Sequence, residues 1–393
     1  MIEDLWYRRD YGARAARAAL SPLSIAFGAA ARLRGALYDR GLLRVAGAGV
    51  PVVSVGALSV GGAGKTPLVL WLVERLTDLG MRPCVLTRGY GGTARAPLLL
   101  DAGDELFSPA LVAAAGDEAV LIAARSGAAV AVAADRAAGA RLARQRLDPD
   151  VFVLDDGFQH RRLARDVDIV VVSGAEADLR LLPAGPLREL PSALARADVV
   201  VTTAQASLSD GSASDWLPPR AGVVAAASSG TPARLSMRLR PTCLVSSRTG
   251  AIAQPRAATD PERRAGDIGD LRALAGRKVA AVAAIARPER LAATLEEAGA
   301  VVVESLSFRD HHAYDAGDWE RIAALARRCE LVVTTEKDMV KLTALAGGAG
   351  WLAALRVEAE LDGEDALLER IGGFDRKRAP THHPPTFGGP AFQ

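Results

Sequence analysis

The chain has 393 residues, 50% hydrophobic and 24% charged, which excludes a disordered polymer and suffices for two domains, each with its own core. Its 48 Lys and Arg against 46 Asp and Glu leave a net charge of +2, far below that of a general nucleic-acid binder. Cys84, Cys243 and Cys329 are widely spaced and form no C-x-x-C pair, so the expectation is a reducing compartment with neither a disulfide framework nor a zinc site.

The first residues include acids and lack the basic start and apolar core of a secretion signal, and no stretch approaches the ~18 apolar residues of a spanning helix. Residues 21–44 set Leu23, Phe27, Ala30, Leu33 and Leu37 at helical spacing, with Arg32, Arg34, Arg40 and Arg44 between and beyond them. This pattern predicts a basic amphipathic helix. It suits an anionic membrane surface, or packing on the body with solvated arginines. Trp6 and Tyr7 are interfacial anchors or packing residues.

From residue 50, β-branched runs alternate with Ala/Leu/Arg-rich helical stretches, which predicts a parallel sheet covered by helices. Strands are expected at 50–56, 83–87, 151–155, 167–172 and 198–202. Residues 205–265, rich in Ser, Pro, Gly and Arg, read as a connector with room for paired strands near 222–226 and 242–246. A second alternation follows: strands at 278–283, 300–304, 330–334 and 351–356, and helices at 288–298, 315–328, after 337 and at 364–371. It predicts a smaller α/β domain. Residues 374–393 read as a tail, which leaves His382 and His383 in solvent.

Residues 50–67 run from an apolar strand through a glycine-rich turn into a helical pattern. The turn Ser59, Val60, Gly61, Gly62, Ala63, Gly64 can aim backbone N–H groups at phosphate oxygens, Lys65 can reach the β and γ phosphates, and Thr66 can ligate Mg²⁺. Ser59 stands where the motif G-x-x-x-x-G-K-[ST] asks for glycine. In V-F-V-L-D-D-G-F-Q-H, residues 151–160, four apolar residues deliver Asp155 and Asp156 to a strand end, where a carboxylate can hold a cation.

G-D-E at 116–118 precedes a helical run, so Asp117 is either that helix's cap or a working carboxylate. F-R-D-H-H-A-Y, 308–314, sets His311 and His312 beside Asp310. Adjacent histidines lack the i, i+4 spacing of a zinc pair, which leaves proton transfer or a structural role. T-R-G-Y-G-G (87–92), L-L-P-A-G-P-L-R-E-L (181–190) and T-T-E-K-D (334–338) read as loops at strand ends, where open α/β sheets bind ligands.

Together with A-R-P-E-R (286–290) and in this order, these motifs closely resemble the tetraacyldisaccharide 4'-kinase (lipid A 4'-kinase) family over residues 5–345. The resemblance implies an ATP-dependent kinase that phosphorylates the 4'-hydroxyl of tetraacyldisaccharide 1-phosphate to form lipid IVA on the cytoplasmic face of the bacterial inner membrane. It implies an α/β fold: a P-loop NTPase-like parallel sheet flanked by helices, a second smaller α/β domain, and an amino-terminal membrane-associated helix. The expected divisions are 1–48, 49–234, 235–372 and a flexible tail at 373–393. ATP and Mg²⁺ are the implied cofactors; the implied partners are the lipid and an anionic membrane surface, with no nucleic acid.

By the same resemblance, Lys65 and Thr66 hold ATP phosphates and Mg²⁺, and Asp155 and Asp156 organise the cation. Asp117 is the general base, with His311, favoured over His312, raising its basicity or sharing its proton. Arg88, Tyr90, Gln159, His160, Arg188 and Glu189 line the cleft. Ala119 replaces the proline usual after G-D-E, and 205–265 is longer and more polar than the family pattern. The rival reading of the phosphate loop is a soluble P-loop kinase or GTPase acting on a small metabolite; a third is a nucleotide-gated binding protein.

Overall fold

The computed structural model describes residues 6, 10–101, 105–173, 180–203, 232–247 and 267–376. Tyr7, the run at 222–226, most of the connector, and His382 and His383 lie outside the described residues.

Helix α1, Tyr11–Asp39, begins at Asp10, whose carboxylate accepts the N–H of Ala13. The next block runs β1 (Val52–Ala57), α2 (Lys65–Asp78), β2 (Pro83–Thr87), β3 (Leu98–Leu100), α3 (Pro109–Ala115), α4 (Asp117–Ser126), β4 (Ala129–Val132), α5 (Arg136–Arg146), β5 (Val151–Asp155), β6 (Val167–Ser173) and β7 (Val199–Thr203). The rest is β8 (Ala233–Ser246), β9 (Asp267–Asp270), β10 (Lys278–Ala283), α6 (Glu289–Glu297), β11 (Val301–Ser307), α7 (Ala316–Leu325), β12 (Leu331–Thr335), α8 (Glu336–Ala346), β13 (Leu352–Asp362) and α9 (Glu364–Arg376).

These strands form one 13-stranded sheet in the order β11-β10-β12-β13-β8-β7-β6-β1-β5-β2-β4-β3, with β9 on β8. Pairing is parallel except at β3/β4, β8/β13 and β8/β9. β1 lies between β5 and β6 and is buried along its whole length, Ser54 included, as expected for a central strand of a parallel sheet covered on both faces. The sheet is continuous across residues 234 and 235. β8 pairs in parallel with β7 over Ala233–Met237 and antiparallel with β13 from Ser236 onward, so one strand serves both halves.

β3, β4, β9 and the first part of β8 escape the sequence pattern, while the run expected at 242–246 is the end of β8. β4, A-V-A-V, sits in an Ala-rich stretch of helical composition and is decided by its pairing with β2; β3 then adds antiparallel to β4. β8 is half polar and contains Pro241, a residue that argues against an ordinary central strand. The proline lies where the β8/β13 register slips by a residue, so the bulge absorbs its missing donor.

Cys84, in β2, is buried, and burial pushes its thiol up to about 12. Native protein at pH 8 should therefore leave Cys84 unalkylated by iodoacetamide until it unfolds, as peptide mass mapping will show; rapid native labelling there would contradict this packing. None of the three cysteines forms a disulfide. Among the described residues no helix is long and apolar enough to cross a membrane.

Candidate active site

β1 delivers the chain into the glycine-rich turn, and Gly61 (φ +107°) and Gly64 (φ +92°) supply its left-handed residues. Gly64 is the N-cap of α2 and no side chain caps that helix, so its first N–H groups face whatever binds there. A β-carbon on Gly64 would lie 3.0 Å from Met237 Cε and 3.2 Å from Thr203 Cγ2, so β7 and β8 wall the turn. Ser59 needs no glycine: it does not adopt positive φ but forms an extended bridge with Leu187, and the Val60 N–H donates to Pro186 O at 2.9 Å.

Beside this turn, β5 ends in the two acids. Asp155 is buried and accepts from Thr87 Oγ1 at 2.9 Å; burial, then the charges of Glu118 and Asp156, push its carboxyl up to about 7. Asp156 turns away with φ +50°. Its Oδ2 accepts from Arg188 Nη1 at 2.7 Å, and Lys65 Nζ lies 3.5 Å from its Oδ1. Burial opposes its charge, but Lys65 and Arg188 outweigh burial and hold its carboxyl below the usual range.

Hard oxygen donors from Thr66, Asp155 and Asp156 fit a divalent cation, as does Asp156 Oδ1, which is buried without a hydrogen-bond donor. Among the described residues no group of three or more His, Cys, Asp and Glu forms a self-contained metal site.

Asp117 opens α4 without capping it. Gly116 is the cap, and its φ of +87° is enforced by Tyr90 O, which a β-carbon would approach to 2.4 Å. Asp117 Oδ1 instead accepts the N–H of Glu118 at 2.9 Å and lies 3.3 Å from His311 Nδ1, while Oδ2 lies 3.3 Å from Lys341 Nζ. Burial works against the carboxylate, but His311, Lys337 and Lys341 prevail and bring its pKa down to about 2. The surroundings of Asp117, with the Lys337 and Lys341 cations and the His311 ring beside it, thus favour the charged carboxylate.

His311 is held at φ +59° with the Tyr90 ring 4.6 Å away. His312 points elsewhere: its Nε2 is 2.6 Å from Asp318 Oδ2, part of the capping box of α7, and its ring stacks on Phe308. Of the adjacent histidines, His311 is the one at Asp117.

The segment T-T-E-K-D reads as a loop from sequence; in the structure most of it opens α8, and Lys337 within it and Lys341 one turn on carry no role in the sequence reading. Lys337 Nζ is 3.1 Å from His311 Nε2, 3.2 Å from Asp310 Oδ1 and 3.5 Å from Glu118 Oε1. Lys341 bridges Asp117 to fully buried Asp338 at 3.3 Å each. Arg136, buried at the start of α5, adds a cation near Asp155 and Asp156 with no sequence signal beyond its place in A-D-R.

The remaining expected residues divide between two places. Arg88 and Tyr90 are exposed on the loop after β2, and the Tyr90 ring lies against His311. Gln159, Arg188 and Glu189 line a groove of about 390 Å³ against Phe27, Ala31 and Arg34 of α1. Gln159 Nε2 donates to Ala57 O at 3.1 Å, and Arg196 grips Glu189 through two hydrogen bonds. His160 has a half-buried ring that burial and nearby arginines bring down to about 4, so it is neutral at physiological pH.

One edge of α1 is fixed to the body. Ser24 Oγ donates to Leu181 O at 2.9 Å and accepts the N–H of Ala184, and a β-carbon on Gly28 would collide with Leu181 at 2.6 Å. Trp6 is buried and donates to Pro183 O, so it packs rather than facing outward. The other edge exposes Leu23, Ile25 and Leu33 beside Arg32 and Arg40.

A family model described as tetraacyldisaccharide-1-P 4'-kinase matches residues 16–373. The tetraacyldisaccharide 4'-kinase of Anaeromyxobacter dehalogenans (strain 2CP-C) is 44% identical over 377 residues, covering 93% of each chain. That of Aeromonas salmonicida (strain A449) is 37% identical over 374 residues, covering 94% of this chain and 96% of the relative. Among solved structures, LpxK from Aquifex aeolicus in complex with ATP superposes with a TM-score of 0.69 at 31% identity, over 91% of this chain and 99% of that one.

Proposed function

The chain belongs to the tetraacyldisaccharide-1-P 4'-kinase family, and from that premise we propose which of its residues carry the reaction. It is an ATP-dependent kinase of lipid A biosynthesis that phosphorylates the 4'-hydroxyl of its lipid disaccharide. The observation that carries the assignment of roles is Asp117, a carboxylate held between His311 and Lys341 where loops from both halves of the sheet meet.

In this reading the glycine turn, the open end of α2 and Lys65 neutralise the ATP phosphates. Mg²⁺, when bound, would be held by Thr66, Asp155 and Asp156 and would offset charge on the β and γ oxygens. The 4'-oxygen attacks the γ-phosphorus, the bond to the β–γ bridging oxygen breaks, ADP departs, and Asp117 takes the hydroxyl proton. A carboxylate with a pKa near 2 is a weak base. That suffices where the transition state is largely dissociative and the acceptor becomes acidic only as it bonds to phosphorus. Arg188, Gln159 and Glu189 place the disaccharide beside α1, and Arg88, Tyr90 and His160 complete the cleft. Residues 49–234 act as the kinase domain, while 235–372 supply His311, Lys337 and Lys341.

We further propose that α1 rests on the anionic cytoplasmic face of the inner membrane. Its exposed Leu23, Ile25 and Leu33 enter the interface while its arginines meet headgroups. The deciding assay is transfer of labelled γ-phosphate from Mg·ATP to tetraacyldisaccharide 1-phosphate in micelles, with a lipid-free control; absence of lipid-dependent product would sink the assignment. For the membrane contact, Ile25→Asp/Leu33→Asp should weaken flotation with anionic vesicles by about tenfold or more, given ~1.5–3 kcal/mol per buried side chain, without shifting the melting temperature. Undiminished flotation would remove α1 from the membrane.

A further inference from the structure

Lys337 comes from α8, behind His311 as seen from Asp117, and its ammonium sits among three acceptors: Glu118 Oε1 at 3.5 Å, Asp310 Oδ1 at 3.2 Å and His311 Nε2 at 3.1 Å. An ammonium has three donors and no lone pair. Whatever lies 3.1 Å from it on an imidazole must be an unprotonated nitrogen. The single ring proton of His311 is then on Nδ1, which faces Asp117 Oδ1 at 3.3 Å as a close polar contact outside hydrogen-bond alignment. A lysine that lost its proton could reverse this polarity, but two neighbouring carboxylates, with Asp117 beyond them, favour the charged form despite burial and raise its pKa.

We propose that Lys337 is a positioning residue that fixes His311 in the neutral Nδ1–H tautomer, so that the histidine turns its N–H toward Asp117 and leaves the carboxylate as the group that accepts the sugar proton. This rests on the reading of Asp117 and His311 above, and it divides their labour: with Nδ1 already protonated and Nε2 occupied by Lys337, His311 orients Asp117 and is not the primary base. The left-handed backbone of His311 and the N–H it donates to Asp310 Oδ1 at 3.0 Å serve the same arrangement. Asp310 thereby holds both the histidine backbone and the lysine that reads its ring.

The test is the ring nitrogen spectrum of full-length protein labelled with ¹⁵N-histidine, His311 being identified by the signal lost in His311→Gln. The expected wild-type pattern is a protonated Nδ1 and an unprotonated Nε2, against the Nε2–H form that free imidazole prefers in water. In Lys337→Met, His311 should revert to Nε2–H and kcat should fall by roughly 10- to 100-fold with KM for ATP unchanged, as when a partner that orients a working histidine is removed. Lys337→Arg, which restores a charged donor, should recover the tautomer and part of the rate. An Nε2–H wild type overturns the proposal without any variant, so a Lys337→Met protein that fails to fold does not shield it; an unmoved tautomer in folded Lys337→Met overturns it too. The tautomer is read without turnover, so a fully active Asp117→Asn enzyme would refute the assigned base while leaving this result to stand or fall separately.

Discussion

Asp117→Asn is expected to lower turnover by roughly 10² to 10⁴ while ATP still binds. The amide matches the carboxylate in shape and can still accept from the Glu118 N–H, and the side chain's contacts are to Glu118, His311 and Lys341 rather than to the phosphate turn, so nucleotide affinity should hold. What is lost is the acceptor for the 4'-hydroxyl proton and the anion that His311 and Lys341 enclose. The same substitution has a stability signature whose sign follows from the lowered pKa. A carboxyl with a folded pKa of about 2 against an ordinary value near 4 contributes stability fully above pH 4 and loses it as pH falls toward 2. Asp117→Asn should therefore melt below wild type at pH 7, with the gap closing in acid. Wild-type turnover would exclude Asp117 as the base, and a constant melting gap between pH 7 and pH 2.5 would exclude the ion-pair account.

The two halves of the site differ in how far they can be read from sequence. The phosphate turn and Asp155–Asp156 are local features: strand, glycines, lysine and acids follow one another in the chain, and the structure leaves them adjacent at the ends of β1 and β5. The proton-handling half is not local. Asp117, His311, Lys337 and Lys341 span more than half the chain and meet because β8 joins two blocks of parallel strands into one sheet. Nothing in T-T-E-K-D-M-V-K-L says that its lysines face a histidine and an aspartate until α8 is placed against α4. β8 itself was hidden by its proline and its charges, and β4 by alanines that suit a helix equally well. In each case tertiary pairing decided what local composition left open.

Glu336 shows how that long-range meeting is enforced, and Glu336→Ala should cost roughly 3–5 kcal/mol of stability. Its carboxylate, at the start of α8, lies 2.5 Å from Arg125 at the end of α4 and 3.0 Å from Arg356 in β13, and all three side chains are about nine-tenths buried. Truncation takes the carboxylate away from two buried guanidinium groups, with Glu358, 3.9 Å from Arg125, as partial compensation. An exposed ion pair would be worth at most ~1 kcal/mol; stranded buried charge is what makes this loss larger. Glu336→Gln keeps the side chain's length and one acceptor, and should lose less. The midpoint of urea unfolding, compared at unchanged slope, measures the effect. A loss below about 1 kcal/mol would mean that water reaches the cluster and that it does not pin α4 to α8. The pin also has a catalytic reading, because α4 opens with Asp117 and α8 carries Lys337 and Lys341. Letting these helices slide by about 1 Å can cost on the order of 10²-fold in rate, so Glu336→Ala that is still folded should turn over slowly with ATP affinity retained.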